Sequence, residues 1–441
     1  MAEQCDVVVL GLGVGGEEVA GRLAQAGLSV VGIEARLVGG ECPYWGCIPS
    51  KMMIRAADLL AEAHRVPGMA GDAVVTPDYA PVAVRLREAT DDWDDKVAVD
   101  RFTNKGGKFI RGWGRVVRPG VVEVDGREFE AKRGVVVSTG TKAVIPPIDG
   151  LAGTPYWTNR EAIEAAAVPQ SLILLGGGAI GLELSQVFAR FGTEVTIVEM
   201  GSRLLAQEEP ESSALAAKVL AADGIRIHTE HAVKSISYDG GLFSLDDGFV
   251  TAEKLLVATG RKPDLESIGL EKLEKVEVDE WMRAGEKLWA VGDIAGHGAF
   301  THMAMYEADI VVRDILGQAG PSADYRALPR VTFTDPEIGA VGLTEAQARQ
   351  QFMNVQTGFV ESANTTRGWI HKGEGFIKVV ADADRGVLVG GTTAGPMGGE
   401  MVSALVVAVH GEVPIERLIY MPYAYPTFHR GIQAALQSLS E

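Results

Sequence analysis

Cys42 and Cys47 are the residues best suited to redox chemistry. They are two of the three cysteines in 441 residues, and they stand in the run Gly39-Gly-Glu-Cys-Pro-Tyr-Trp-Gly-Cys-Ile-Pro-Ser-Lys51. Three cysteines cannot build a disulfide framework, so the pair needs another account. Pro43 suits the first position of a helix, which makes Cys42 the expected N-cap. A thiolate there would meet unpaired N–H groups and the positive end of the helix dipole, so an acidified thiol is expected at Cys42. On a regular helix the five-residue spacing to Cys47 leaves the Cα atoms too far apart to bridge. Pro49 clashes with the carbonyl of Trp45 and donates no hydrogen bond, which predicts a distorted first turn that lets the sulfurs approach. Lys51, one turn past Cys47, adds a positive charge on the same face. The alternatives are two buried, inert cysteines or a metal site, and zinc would lack the further Cys or His ligands it needs.

Two Gly-rich turns supply the elements that must position such a pair. Residues 7–10 are a short apolar strand, followed by Gly11-Leu-Gly13-Val-Gly15-Gly16, a helix pattern over 17–26 and a second strand over 29–33. Glu34 falls 23 residues after Gly11. This is the dinucleotide fingerprint in its proper context: glycines admit a pyrophosphate at a helix N-terminus, and an acid closing the second strand takes ribose hydroxyls. The pattern recurs after a Pro/Gly-rich linker near 146–155, with a strand over 172–175, Gly176-Gly-Gly178-Ala-Ile-Gly181, a helix over 182–191 and Glu199, again 23 residues after its first glycine. Ser138-Thr139-Gly140 is echoed by Ala258-Thr259-Gly260. Two dinucleotide sites are therefore expected. Glu199 would repel a 2′-phosphate, which favours NADH over NADPH, although Arg203 lies close by in sequence.

Other stretches carry less. Asp91, Asp92, Asp94 and Asp95 read as a solvated helix face, with a metal site as the competing reading. Asp293 ends an apolar strand at Gly292, where it could hold a polyol or cap a helix predicted over 302–316. From Arg330 onward strands and hairpins predict an antiparallel α+β module, with strands over 331–334, 340–343, 376–381 and 387–393 and helices over 397–410 and 427–439. A net charge of −18 without a basic run argues against nucleic acid or an anionic membrane as partner. The apolar run at 401–409 is too short to span a bilayer, and the acidic N-terminus is unlike a signal peptide, so a cytoplasmic protein with reduced thiols is expected.

Taken together, these motifs resemble the FAD-dependent pyridine nucleotide-disulfide oxidoreductases, the group of dihydrolipoyl dehydrogenase, glutathione reductase and mercuric reductase. The resemblance also covers Val331-Thr-Phe-Thr-Asp335-Pro-Glu-Ile-Gly339 and thus runs the length of the chain. It implies an α/β protein with two Rossmann-like domains and a C-terminal α+β dimerisation domain. The implied divisions are FAD binding in 1–148 and 268–322, NAD(P) binding in 149–267, and a homodimer interface in 323–441. FAD would contact Gly11, Gly13, Gly16, Glu34, Gly40, Thr139, Gly140, Gly292 and Asp293, with adenine near Gly114. NAD would contact Gly176, Gly178, Gly181, Glu199 and Gly260. Cys42 would be the interchange thiol, Cys47 the thiol facing the flavin, and Lys51 would pair with Glu183.

The C-terminal motif departs from the pattern. Where dithiol-handling relatives carry His-Pro-Thr and then Glu, this chain has Tyr425-Pro-Thr427 and Arg430. A phenol, with its ordinary pKa of about 10, is a poor base at neutral pH. His429 is displaced by four residues from the expected place. Tyrosine there is similar to mercuric reductase, yet the vicinal C-terminal cysteines of that enzyme are missing, since the chain ends Leu436-Gln-Ser-Leu-Ser-Glu441. Tyr44 and Trp45 are bulkier than usual for the family and are expected to narrow access to the pair. The expected activity is electron transfer from NAD(P)H through FAD and the cysteine pair to a small acceptor: a disulfide, a metal ion or a quinone. Dihydrolipoyl dehydrogenase is one alternative, and a flavin-binding redox sensor or interaction protein is another.

Overall fold

The structure is a computed structural model that describes residues 2–352 and 354–440. The chain divides into two compact units, the first made of Met1–Met52, Ala80–Val144 and Gly260–Asp324, and the second of Met53–Tyr79, Ile145–Thr259 and Tyr325–Glu441.

In the first unit β1 (Glu3–Leu10) lies between Arg127–Val137 and β2 (Val30–Glu34), with Lys108–Arg111 beyond β2, all parallel. Leu288–Ala290 extends the sheet in parallel beside Arg127–Val137, and the strands Gly114–Arg118 and Val121–Val124 fold back antiparallel. Val7, Val8 and Val9 are completely buried, as a strand covered on both faces must be. Each such side chain contributes roughly 1.5–3 kcal/mol on leaving water. Between β1 and β2 runs α1 (Val14–Gln25), whose N-cap is Gly13 and carries no side-chain cap. The helix Thr301–Leu316 packs against α1.

The second unit repeats the motif and adds an antiparallel layer. Four parallel strands run in the order Arg226–His228, Glu194–Val198, Ser171–Leu175, Lys254–Val257, with the helix Ala179–Arg190 following Ser171–Leu175. Residues 236–252 form a three-stranded antiparallel meander. The C-terminal part is a five-stranded antiparallel sheet covered by the helices Gly398–His410 and Arg430–Gln437. Its edge strand Val355–Glu361 is not foreseen from the sequence, and neither is the helix Pro210–Ala222.

The acidic run is not a single helix face. Residues Asp91–Trp93 form a short 3₁₀ turn, and Asp95 is buried, accepting from the Val38 N–H at 2.7 Å and pairing with Arg111. Among the described residues no group of three or more acidic, His or Cys side chains is arranged to hold a metal ion. No helix among them is long and apolar enough to cross a membrane.

Candidate active site

The cysteine stretch folds differently from the expectation. The N-cap of α2 (Glu41–Tyr44) is Gly40, and Cys42 sits inside this short helix. The reason is steric: Gly40 adopts φ +68, and a Cβ on it would lie 2.8 Å from the Cα of Gly13, so only glycine can turn the chain there. The chain breaks at Trp45-Gly46, and α3 (Cys47–His64) starts afresh at Cys47. Pro49 lies in the first turn of α3, where a missing N–H costs little, so it is not the source of the break. The Gly46 carbonyl accepts the Ser50 N–H at 3.0 Å.

The acidified thiol also differs from the expectation. Cys47, not Cys42, is the thiol pulled down, to about 6. The hydrogen bond from Cys42 is the main cause; burial opposes it, and the Thr301 hydroxyl and the Lys51 ammonium add to it. The thiol of Cys42 is pushed up, chiefly because it donates to Cys47 and also by burial. The two thiols therefore titrate as a pair, with Cys47 the one that the hydrogen bond from Cys42 holds down. Thr301 Oγ1 lies 3.3 Å from Cys47 Sγ. No sequence signal marks this threonine, since it is brought to the pair by the first residue of a helix more than 250 positions away. Tyr44 is buried in the first unit, and its backbone carbonyl accepts from Trp93 Nε1 at 3.2 Å. Its bulk therefore fills the interior instead of narrowing access.

The first unit also carries the groups suited to a dinucleotide. Gly11 adopts φ +90, and a Cβ there would meet the Ser138 carbonyl oxygen at 2.5 Å; a Cβ on Gly16 would meet the Gly11 oxygen at 2.0 Å. The uncapped first turn of α1 offers its N–H groups to an anion. Glu34 accepts from the amides of Leu12 and Arg36, each at 2.8 Å. Gly140 turns the chain at φ +64 just after Thr139. Gly114 opens a strand where Leu10 and Ile33 leave no room for a side chain. Asp293 lies in a short 3₁₀ turn with Gly292 and accepts from Thr141 Oγ1 at 2.9 Å. Burial raises its pKa, while Thr141 and Arg261 lower it. Arg261 in turn donates to Thr141 Oγ1 and its carbonyl, at 3.0 and 2.8 Å. Buried Glu307 fixes the turn by accepting from the Gly292 N–H at 2.7 Å. These donors and acceptors fit FAD: α1 would meet the pyrophosphate, while Glu34 and Asp293 keep lone pairs for hydroxyls.

The second unit builds the same cradle. A Cβ on Gly176 would meet the Ala258 oxygen at 2.5 Å, and Gly181 closes on the Gly176 oxygen at 2.8 Å. Gly178 is the uncapped N-cap of the helix Ala179–Arg190. Glu199 accepts from the amides of Gly177 and Gly201 at 2.6 and 2.5 Å, repeating the arrangement of Glu34. Gly260, with φ +117, begins the last segment of the first unit, and its carbonyl accepts the Val144 N–H at 2.9 Å. Glu183 is buried, 5% exposed, and accepts the Phe333 N–H at 2.9 Å. Three and seven residues further on the same helix face, Gln186 binds the Asp335 backbone and Arg190 pairs with the Asp335 carboxylate at 2.8 Å.

Tyr425 is 66% exposed, and the Arg430 guanidinium lies 5.3 Å from its ring centre. His429 is exposed at the start of the helix Arg430–Gln437.

Residues 5–308 match the pyridine nucleotide-disulphide oxidoreductase domain, and residues 328–436 match the dimerisation domain of the same family. Among curated proteins the chain is 30% identical to a mercuric reductase of Streptomyces lividans, over 99% of this chain and 96% of that protein. It is 32% identical to a dihydrolipoyl dehydrogenase of Thermus scotoductus, over 98% and 97% of the two chains. Among solved structures it is similar to the HOCl-induced flavoprotein disulfide reductase RclA of Escherichia coli, with TM-score 0.85, 25% identity and coverage of 98% and 99%. With both domains matched and relatives aligned end to end, the chain belongs to the pyridine nucleotide-disulphide oxidoreductases, enzymes that work with FAD and NAD(P)H.

Proposed function

We infer that this enzyme moves an electron pair from NADH, by way of FAD, onto Cys42 and Cys47, and from Cys42 to a small acceptor other than lipoamide. The observation that carries this reading is the hydrogen-bonded pair of thiols, Cys42 on Cys47, with Thr301 Oγ1 3.3 Å from Cys47 Sγ. FAD, when bound, supplies hydride acceptance from the nicotinamide and two-electron exchange with a disulfide. The protein's part is to hold Cys47 ionised and to leave the proton on Cys42. Cys42 must lose that proton to attack an acceptor, and Cys47 is the base within reach.

The preference for NADH rests on Glu199 and Arg203. The carboxylate of Glu199 repels a 2′-phosphate, and the Arg203 guanidinium is engaged by the carbonyls of Leu205 and Ala206 and by Ser213 Oγ at 3.2, 2.8 and 2.5 Å. It is therefore committed to its own loop. Exclusion of lipoamide rests on Tyr425 and Arg430, a phenol and a guanidinium where a dithiol enzyme needs an oriented base.

Anaerobic reduction of the holoenzyme with one equivalent of NADH is expected to give a long-wavelength thiolate-to-flavin charge-transfer band. Cys42→Ser and Cys47→Ser are each expected to abolish acceptor turnover. Absence of the band together with full turnover in Cys42→Ser would refute the route. Rapid NAD reduction by dihydrolipoamide would instead restore the lipoamide reading.

A further inference from the structure

The turn that carries Asp293 is held from two sides, in two different ways. On the side of the helix Thr301–Leu316, buried Glu307 takes the Gly292 N–H at 2.7 Å and meets His297 Nδ1 at 3.2 Å. That side grips the backbone of the turn. On the other side the contact is with the carboxylate itself. The short strands Lys142–Ala143 and Arg261–Lys262 pair antiparallel, with Arg261 opposite Ala143, and Lys142 is tied to Asp264 at 2.8 Å. This pairing sets the Arg261 guanidinium against Thr141, where Nε donates to Oγ1 at 3.0 Å and Nη2 to the carbonyl at 2.8 Å. Thr141 Oγ1 in turn lies 2.9 Å from Asp293 Oδ2. All of these groups belong to the first unit.

The order of the three groups fixes the direction of their hydrogen bonds. A guanidinium has donors only and keeps its charge, so Thr141 Oγ1 must accept from Arg261. The single hydrogen of the hydroxyl is then directed at Asp293, which must accept it. The relay therefore favours the ionised carboxylate over the acid. Burial works against it by raising the pKa of Asp293, whereas Thr141 and Arg261 lower it and the negative charge of Glu41 raises it. Glu41 opens α2, the helix that carries Cys42, and its carboxylate lies 3.7 Å from Arg261. The charged groups about the turn are thus Arg261 and Glu41 on the carboxylate side, with Glu307 and His297 behind it.

We propose that Arg261 is a positioning residue for FAD: it acts through the Thr141 hydroxyl to keep the Asp293 carboxylate an acceptor for a hydroxyl of the cofactor. The proposal rests on the reading that Asp293 holds FAD. Without the guanidinium the Thr141 hydroxyl can turn either way, and burial and Glu41 are left unopposed in favouring the acid, which accepts more weakly. Arg261 also follows directly on Gly260, the glycine expected against NAD. The segment that closes the second nucleotide site thereby sets an acceptor of the first.

The test follows FAD itself. Holoenzyme is equilibrated over a falling pH series, and released flavin is read by its fluorescence after ultrafiltration. Acidification protonates Asp293 and is expected to release FAD. Arg261→Met and Thr141→Val each remove one link, so both should release FAD at higher pH than the wild type and raise its Kd at neutral pH about tenfold. The double variant should go no further than either single one, because both cut the same relay. Arg261→Lys and Thr141→Ser keep a donor and should titrate near the wild type. Glu41→Gln removes the opposing charge and should move release to lower pH; Glu41 is half-exposed, so this variant tests the relay even where Arg261→Met does not fold. A role in folding alone would weaken FAD at every pH and could not give shifts of opposite sign. An unmoved release midpoint in Arg261→Met or in Glu41→Gln, or additive effects in the double variant, overturns the proposal. Asp293→Asn is expected to hold FAD weakly and without this titration; a wild-type profile in Asp293→Asn would overturn the assignment of Asp293 to FAD itself.

Discussion

Replacing Thr301 by valine removes a hydroxyl from Cys47 while keeping the branched shape of the side chain. The Oγ1 to Sγ distance is 3.3 Å, and with Cys47 ionised the hydroxyl is the donor. Hydrogen bonds to charged groups contribute roughly 1.5–3 kcal/mol, and Thr301 is only half-buried, so the lower end applies. One pKa unit corresponds to about 1.36 kcal/mol, so the loss should raise the Cys47 titration by about one unit. The sign follows from the lowered thiol: Cys47 stays ionised as pH falls until about 6 and takes a proton below it. In Thr301→Val the thiolate should disappear near pH 7. The assay is a pH titration of the charge-transfer absorbance in anaerobically reduced holoenzyme. Thr301→Ser, which keeps the hydroxyl, should titrate like the wild type. A Thr301→Val midpoint within about 0.3 unit of the wild type would refute the role given to the hydroxyl.

Lys378 is 5% exposed at its side chain and bonds Glu209, Glu211 and Glu345 at 3.1, 2.8 and 2.8 Å. Lys378→Met should therefore destabilise the protein by roughly 3–5 kcal/mol in chemical denaturation at neutral pH, because buried Glu209 and the half-buried Glu211 and Glu345 lose their cation. Lys378 holds the Glu345 carboxyl below its ordinary range, so the stability it contributes is lost as pH falls and the deficit of the variant should shrink; a deficit that grows on acidification would contradict this. Glu199→Gln is expected to raise the NADPH-to-NADH ratio of kcat/KM about tenfold, since one repulsive charge is removed. An unaltered ratio would show that discrimination lies elsewhere.

Much of this architecture is legible in the sequence because it depends on residues that admit no substitute. Gly11, Gly16, Gly176 and Gly181 sit where a Cβ would strike backbone oxygen, so both fingerprints could be read from spacing alone. The cysteine pair was legible as chemistry but not as geometry. The expectation placed a helix start at Cys42 from Pro43, whereas the close approach of Gly40 to Gly13 and the break at Gly46 decide where the turns begin. That displacement transfers the helix start to Cys47, while the lowered thiol there comes chiefly from the hydrogen bond of Cys42. Contacts over long sequence separations were not legible. Thr301 beside Cys47, Glu307 under Gly292 and Arg261 on Thr141 depend on tertiary packing, and none lies in a local pattern. The strand Val355–Glu361 escaped for a related reason: as an edge strand of polar and apolar residues it is defined by its seven-residue pairing with Phe376–Asp382.

The two fingerprint acids sharpen what such a signature means. Each of Glu34 and Glu199 accepts from an amide inside its glycine turn and from another two residues downstream. A carboxylate offers about four acceptor sites, so two remain for ribose hydroxyls. The residue that selects the nucleotide thus also holds the turn that receives its pyrophosphate. Glutamine at 199 would set an NH₂ against the N–H of Gly177 or Gly201, so a change in cofactor preference should come with a looser turn. Weaker binding of both nucleotides in Glu199→Gln, alongside the altered ratio, is the expected sign of that double duty. A selectivity change with undiminished NADH affinity would show instead that turn and specificity are separable.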